Sequence, residues 1–533
     1  MQTGAGAVTA DHDVVVIGGG LAGSSAGLLL RRALPDCRVL IVERSEEFER
    51  KVGEATVEVS GHFLAHVLRL YGTLSREHLS KHGLRYFFTD GRGRALAEMS
   101  EVGTTSQPPL PTFQLDRARL DKTVLELAER EGALVVRPGR VTDHRPSWPV
   151  STVELEDSEG QRRVVTARWV LDATGRRTFL ARRLGLLERL PGHRTAAMWG
   201  HWRGTLDLDG LEALGPDPRV PGLPETHCAR DLATNHFCGR GWWSWVIRLA
   251  SGSTSIGVVY DKRLFEPPAV GHGSLERYRR FLESRDGLRE IVAGATLDEE
   301  SFRFRDNLAY RAARYMDLGW ALVGDAAAFL DPYYSPGLDH LAMSVHATTR
   351  LIEEQLRGEH SEEALSRAIT EHNESFARSY TRWYEGLYRD KYELLGDAEL
   401  TATAFYLDTA MYHLGVVHTV YHDLEELRTP TLGSSGLQAW LAYRVLRFTR
   451  RRLVTLARRR LRRGTYGRRN VGWRTTVPDF GTARLRLTAA HRRGLALWAA
   501  AELENLLDHL RPRRRTRNAG ALQEVRGTRR SEA

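Results

Sequence analysis

Cysteine is scarce. Cys37, Cys228 and Cys238 are the only three in 533 residues, an odd, unpatterned set that excludes a disulfide framework and a zinc cluster and suits a reducing compartment. Uninterrupted apolar runs are also missing. "DVVVIGGGLAGSSAGLLL" is broken by glycine and serine, so it lacks the roughly 18 consecutive apolar residues that a membrane helix needs. The opening "MQTGAGAVTADHD" has no cationic start followed by an apolar stretch, so no secretory signal is read there and a cytoplasmic location is expected. His82 and His340 have no companion ligands at metal spacing, and no metal is expected. What the chain has in excess is arginine. The formal charge of +10 is concentrated late, with twelve arginines in residues 444–469 and more in "RPRRRTRN". Aromatics are not interleaved through this stretch, which argues against a nucleic-acid platform. A solvated helix surface, or a surface for an acidic protein or for membrane headgroups, remains.

A β-branched run, "DVVVI", ends in glycines and is followed by the helical pattern "LAGSSAGLLLRRAL" and a second strand, "VLIVER". This predicts a β-α-β unit at the start of the chain. Alternating strands with turns are expected between about 190 and 300, and strand patterns fade after about 345. The fold class is therefore α/β: a GxGxxG nucleotide-binding domain over 1–350 with an interleaved substrate sheet (about 84–113 and 190–300), an α-helical region over 351–510, and a basic tail over 511–533 expected to be disordered.

Gly18, Gly20 and Gly23 form GxGxxG between strand and helix, with Glu43 ending the second strand. Such glycines allow a pyrophosphate to approach the helix N-terminus, and the acidic residue can bind ribose hydroxyls, so an adenine dinucleotide is the expected ligand. "VLDATGR", containing Asp172, and "WALVGDAAAFLDP", containing Gly324 and Asp325, each follow an apolar strand. An aspartate at the second position can bind ribityl hydroxyls beside a helix N-terminus. Together with "QLDRARLD", which contains Arg117, these segments resemble the FAD-binding elements of the aromatic-hydroxylase class of flavoproteins.

Three further stretches are similar to the flavin-dependent halogenases: "KVGEAT" (51–56), Trp243-Ser244-Trp245-Val246-Ile247, and "FLDPYYSPGLDHLA" (329–342). The resemblance implies FAD as cofactor, with Gly53, Glu54, Arg117, Gly337 and Leu338 near the flavin and Ser335, Pro336 and Gly337 at the halide. It implies that Trp243 and Trp245 wall the flavin from the substrate, and that Lys81 holds the oxidant against an electron-rich ring. Read without the resemblance, Lys81 is an ordinary helix-end lysine, the tryptophans are core residues, and Glu54 serves equally as a turn cap. The implied activity is halogenation of a phenol- or pyrrole-type aromatic, free or bound to an acyl carrier protein, in specialised metabolism, with reduced flavin from a separate reductase. The alternative is an FAD-dependent monooxygenase or geranylgeranyl-reductase-like oxidoreductase without halide chemistry. Two departures from the family pattern favour that alternative: Arg248 replaces the proline of WxWxIP, and Pro336 stands in the middle of SxG, where it adds no donor.

Overall fold

The computed structural model describes residues 10–104, 107–210, 228–268, 273–477 and 489–510. Strand β1 (His12–Ile17) leads through the glycine turn into helix α1 (Leu21–Ala33) and then strand β2 (Val39–Val42). The remaining parallel strands come later in the chain: β3 (Leu134–Val136), β4 (Arg162–Asp172) and β5 (Trp320–Leu322). Their spatial order is β5-β4-β1-β2-β3, with Val14 beside both Val39 of β2 and Trp169 of β4. Both faces of β1 are covered, which is why Val14, Val15 and Val16 are fully buried and the strand reads as a continuous apolar run. The chain leaves β1 to β2 on one side and returns to β4 on the other. The glycine turn thus sits at the topological switch point, where an open α/β sheet binds its ligand.

Helix α2 (Arg117–Arg130), capped by the Asp116 side chain, packs beside α1. A second sheet of eight strands orders as 296–305, 195–203, 254–261, 242–248, 234–239, 84–88, 100–104 and 474–477. It matches the expected insertion and adds one unforeseen member. Arg474–Val477 pairs in parallel with the Ser100–Thr104 strand, so the C-terminal region is not purely helical. Four residues are too few to show a period against the arginines around them.

Strand alternation decides where the tryptophans go. In the Trp242–Arg248 strand, Trp242 and Val246 face one apolar cluster with Tyr278 and Phe281, while Trp243, Trp245 and Ile247 face the opposite one. That second face is covered by the C-terminal helices. Helices α3 (Pro336–Leu356) and α4 (Glu362–Trp383) pack mainly into the core of the first sheet, so the cover comes from α5 (Ala398–Tyr412), α6 (Leu437–Arg463) and α7 (Ala489–Leu510). The basic tail at 511–533 lies outside the described residues.

Candidate active site

The turn after β1 is built for close approach. A Cβ on Gly23 would lie 1.9 Å from the Gly18 carbonyl oxygen, so only glycine lets α1 start there. At Gly20 the missing side chain leaves room for Lys51, whose ammonium pairs with Asp121 above the α1 N-terminus. Glu43 accepts from the Gly19 amide at 2.7 Å and from Ser45 at 2.8 Å, which fixes the turn from the end of β2. Gly53 (φ +94°) meets Arg117: a Cβ there would stand 2.4 Å from the guanidinium and 4.0 Å from Leu338. Arg117 also holds Asp121 at 3.0 Å. Asp325 follows Gly324, its backbone carbonyl receiving the Tyr310 hydroxyl at 2.7 Å. Burial raises the Asp325 carboxyl above its ordinary range, opposed by the charges of Arg176, Arg117 and Lys51. Three cations, one aspartate and a side-chain-free helix N-terminus suit the diphosphate and ribityl hydroxyls of FAD. Lys51, Gly20, Arg117 and Asp325 would hold it.

Asp172 departs from its expected role. It is fully buried, and its two oxygens accept from Thr174 (2.9 Å) and Leu180 (2.7 Å). It shapes the turn after β4 rather than presenting a free carboxylate. Glu54 is likewise engaged: its Oε1 lies 2.6 Å from His201 Nε2 in the second sheet.

The segment before α3 is strained. Tyr334 and Ser335 both adopt left-handed backbone, with φ of 72° and 57°, at a cost on the order of 1–3 kcal/mol each. Neighbours fix it from several sides. Asp331 accepts the Tyr333 amide at 3.0 Å, Tyr388 donates to the Tyr333 carbonyl at 2.7 Å, and Tyr334 donates to Asp408 at 3.1 Å. Lys391 pairs with the same Asp408 and lies 4.2 Å from the centre of the Tyr334 ring. Pro336 is the first helical residue of α3, where an amide has no intrahelical partner in any case. Its missing donor therefore costs the helix nothing, and the Gly337 and Leu338 amides remain at the helix start.

Behind this turn lies a cavity of about 890 Å³. Lys81, Tyr334 and Pro336 line it together with Glu58, Asp339 and residues of α4, α5 and α6. Lys81 is 2 % exposed, and its ammonium donates to the Thr56 carbonyl at 2.7 Å. Burial pushes its pKa down from 10.5 to about 8, with Glu58 and Asp339 opposing. Nothing in the residues around Lys81 marks this lysine as buried. Asp339 takes the Ser60 amide (2.9 Å) and the Tyr412 hydroxyl (2.8 Å), and burial lifts its pKa to about 6 against those bonds. Glu58, Tyr412 and His413 escaped the sequence reading because up to 355 positions separate them and no motif spans that gap.

Neither Trp243 nor Trp245 is among the residues that line the cavity. Trp243 donates to Tyr392 at 3.0 Å, and Tyr392 in turn donates to Asp331 at 2.9 Å. Trp245 donates to Ser255 at 3.0 Å and lies across Gly257, where a Cβ would come within 2.2 Å of the indole. Both indoles are satisfied core residues. Trp243 reaches the Tyr333–Ser335 turn through three hydrogen bonds, by way of Tyr392 and Asp331, and stacks edge-on against Tyr333 at 5.2 Å. Arg248, at the end of the same strand, pairs with Asp231 at 2.9 Å and bonds Thr205 and Thr254. Its place in the motif is thus explained by local pairing.

Among the described residues no cluster of three or more metal-binding side chains occurs, and no helix is long and apolar enough to cross a membrane. The expected basic surface is neutralised in part. Arg447 pairs with Glu385, Arg452 with Glu502 and Arg458 with Glu393, while the buried Arg460 joins Asp397, Glu399 and Glu504.

The fold and the dinucleotide site define an FAD-dependent oxidoreductase, and residues 11–214 match the FAD binding domain family model. The flavin-dependent halogenase chlA of Dictyostelium discoideum is 27% identical over 445 residues, covering 75% of this chain and 69% of that protein. The 1H-pyrrole-2-carbonyl-(peptidyl-carrier protein) chlorinase of Pseudomonas fluorescens is 27% identical over 400 residues, covering 71% and 81%. The crystal structure of halogenase PltM in complex with phloroglucinol and FAD shares the fold, with a TM-score of 0.70 at 18% identity over 92% of this chain and 96% of that one. In sequence the chain is thus similar to flavin-dependent halogenases, and it shares its fold with a halogenase of known structure.

Proposed function

We propose that this protein halogenates an electron-rich phenol- or pyrrole-type aromatic, with Lys81 as the group that presents the oxidant to the ring. The observation that carries this reading is a buried ammonium in the wall of a largely apolar cavity. A lysine held there without a fully matched counter-ion costs stability, and structure alone gives no reason for it. When bound, FAD supplies the oxidising chemistry, turning dioxygen and chloride or bromide into hypohalous acid from its reduced form.

The chain's own residues divide the remaining tasks. The Tyr334–Leu338 turn faces two ways: Tyr334 and Pro336 border the cavity, and Leu338 approaches Gly53 and Arg117. We assign the halide to the Ser335-Pro336-Gly337 backbone at the α3 N-terminus, where the helix dipole favours an anion. Trp243 and Trp245 keep substrate from the flavin by bracing this turn from behind. The ammonium of Lys81 hydrogen-bonds the small oxidant and orients it, so position rather than bulk chemistry selects the ring carbon. Reduced flavin comes from a separate reductase, in line with the single GxGxxG fingerprint. The carrier-bound form of the substrate draws support from the carrier-protein chlorinase among the relatives.

The test is product mass from the FAD-loaded protein with a flavin reductase, dioxygen and chloride or bromide, on a panel of phenols and pyrroles. Halide-dependent halogenated product is expected. Oxygenated product formed equally without halide would establish the monooxygenase reading instead.

A further inference from the structure

The polar groups of the cavity are not equally available to a substrate. Both oxygens of Asp339 are taken, by the Ser60 amide and the Tyr412 hydroxyl. Asp408 is held by Lys391 and Tyr334. Glu58 differs: one of its oxygens stands 3.3 Å from His413 Nε2, and an ionised carboxylate accepts at about four lone-pair sites. Glu58 is one of the charges that act on Lys81, so the two groups sit at the same end of the cavity. Burial opposes ionisation of Glu58, yet the hydrogen bond and charge of His413, the Glu58 backbone amide and the charge of Lys81 together hold the carboxyl below its ordinary value. Away from this end the lining is mainly apolar, including Trp383, Leu387, Phe405 and Leu446, with Glu426, Thr429, Thr431, Ser434 and Gln438 also bordering it. Leu441 and Val445, each 48% exposed, mark its mouth.

Size adds a second constraint. A cavity of about 150 Å³ holds one benzene ring, and this one has about 890 Å³. A single-ring substrate would leave most of the apolar lining without contact.

We infer that the cavity takes an extended, uncharged phenol of several fused rings, its hydroxyl donating to Glu58, with His413 fixing that carboxylate and the hydroxyl-bearing ring set against Lys81. This deepens the proposed function and rests on it for the role of Lys81. An anionic substrate is disfavoured because it would place like charge beside Glu58. An ether is disfavoured because it has no proton to donate and so forgoes the added hydrogen bond to Glu58.

The test is equilibrium binding to the FAD-loaded, oxidised protein without reductant, followed by fluorescence. The probes are 1-hydroxypyrene, 1-methoxypyrene and phenol. The hydroxy compound should bind about tenfold or more tighter than its methyl ether, the scale of one charge-assisted hydrogen bond, and about a hundredfold or more tighter than phenol, from apolar area. In Glu58→Gln the preference for hydroxy over methoxy should shrink to about threefold or less, with 1-methoxypyrene affinity held. Equal binding of the two pyrenes to the parent, an unchanged preference in Glu58→Gln, or phenol binding as tightly as 1-hydroxypyrene would each overturn the inference. The parent comparison stands even if the variant folds poorly. Halogenation fails or succeeds in the separate turnover assay, so selective binding without halide-dependent product would sink the halogenase reading alone.

Discussion

Replacing Lys81 by methionine, of similar length and without charge, should leave a protein at least as stable as its parent yet unable to transfer halogen. At about 1.4 kcal/mol for each tenfold change in proton affinity, the displacement of Lys81 from 10.5 to about 8 means that the native ammonium costs about 3 kcal/mol at neutral pH. Methionine removes that cost and forfeits the hydrogen bond to the Thr56 carbonyl, worth about 1 kcal/mol. Glu58 keeps His413, and Asp339 keeps Ser60 and Tyr412, so neither carboxyl is stranded. The net expectation is a gain of about 2 kcal/mol, or about 2 °C in Tm for a chain of this length. The pH dependence checks the cause. Between pH 8 and pH 10.5 the native lysine is deprotonated while the unfolded one still binds its proton. The parent therefore gains stability as pH rises through this window, and Lys81→Met does not. Calorimetric melts at pH 7 and pH 10, with product mass under turnover, read all three effects. A variant that melts many degrees lower would make Lys81 a structural residue, and one that still forms halogenated product would remove it from the chemistry.

Gly23→Ala sets a Cβ 1.9 Å from the Gly18 oxygen, so the variant should purify without bound flavin, seen as lost absorbance in the visible region. Gly53→Ala crowds Arg117 from a left-handed backbone and should weaken FAD binding about tenfold or more by titration. Trp243→Phe leaves Tyr392 without its indole donor and should cost about 1–3 kcal/mol in a denaturant melt; full parental stability would argue that the link to the Tyr333–Ser335 turn is idle. Arg248→Pro restores the family motif but strips Asp231 of its partner, so a loss of about 1–3 kcal/mol is expected with halide dependence of the product unchanged.

What the chain's order of residues determined by itself was local. The β1–α1–β2 unit, the glycine turn with Glu43, and the Gly324-Asp325 segment are legible because each depends on neighbours within a few positions: a β-branched run, a backbone that must come close, a helix start. The motif around Trp243 and Trp245 was equally visible, but its role was not. Strand alternation puts both indoles on one face and a chain of hydrogen bonds through Tyr392 and Asp331 ties Trp243 to the Tyr333 turn, and alternation has no meaning until the sheet has partners on each face. Pro336 and Arg248 looked like defects in a motif and became ordinary once the α3 start and the Asp231 pair were seen. The tertiary structure alone decided that Lys81 is buried and that Glu58, Asp339, Tyr412 and His413 meet it in one cavity. These residues come from segments hundreds of positions apart, and burial and charge coupling act through space.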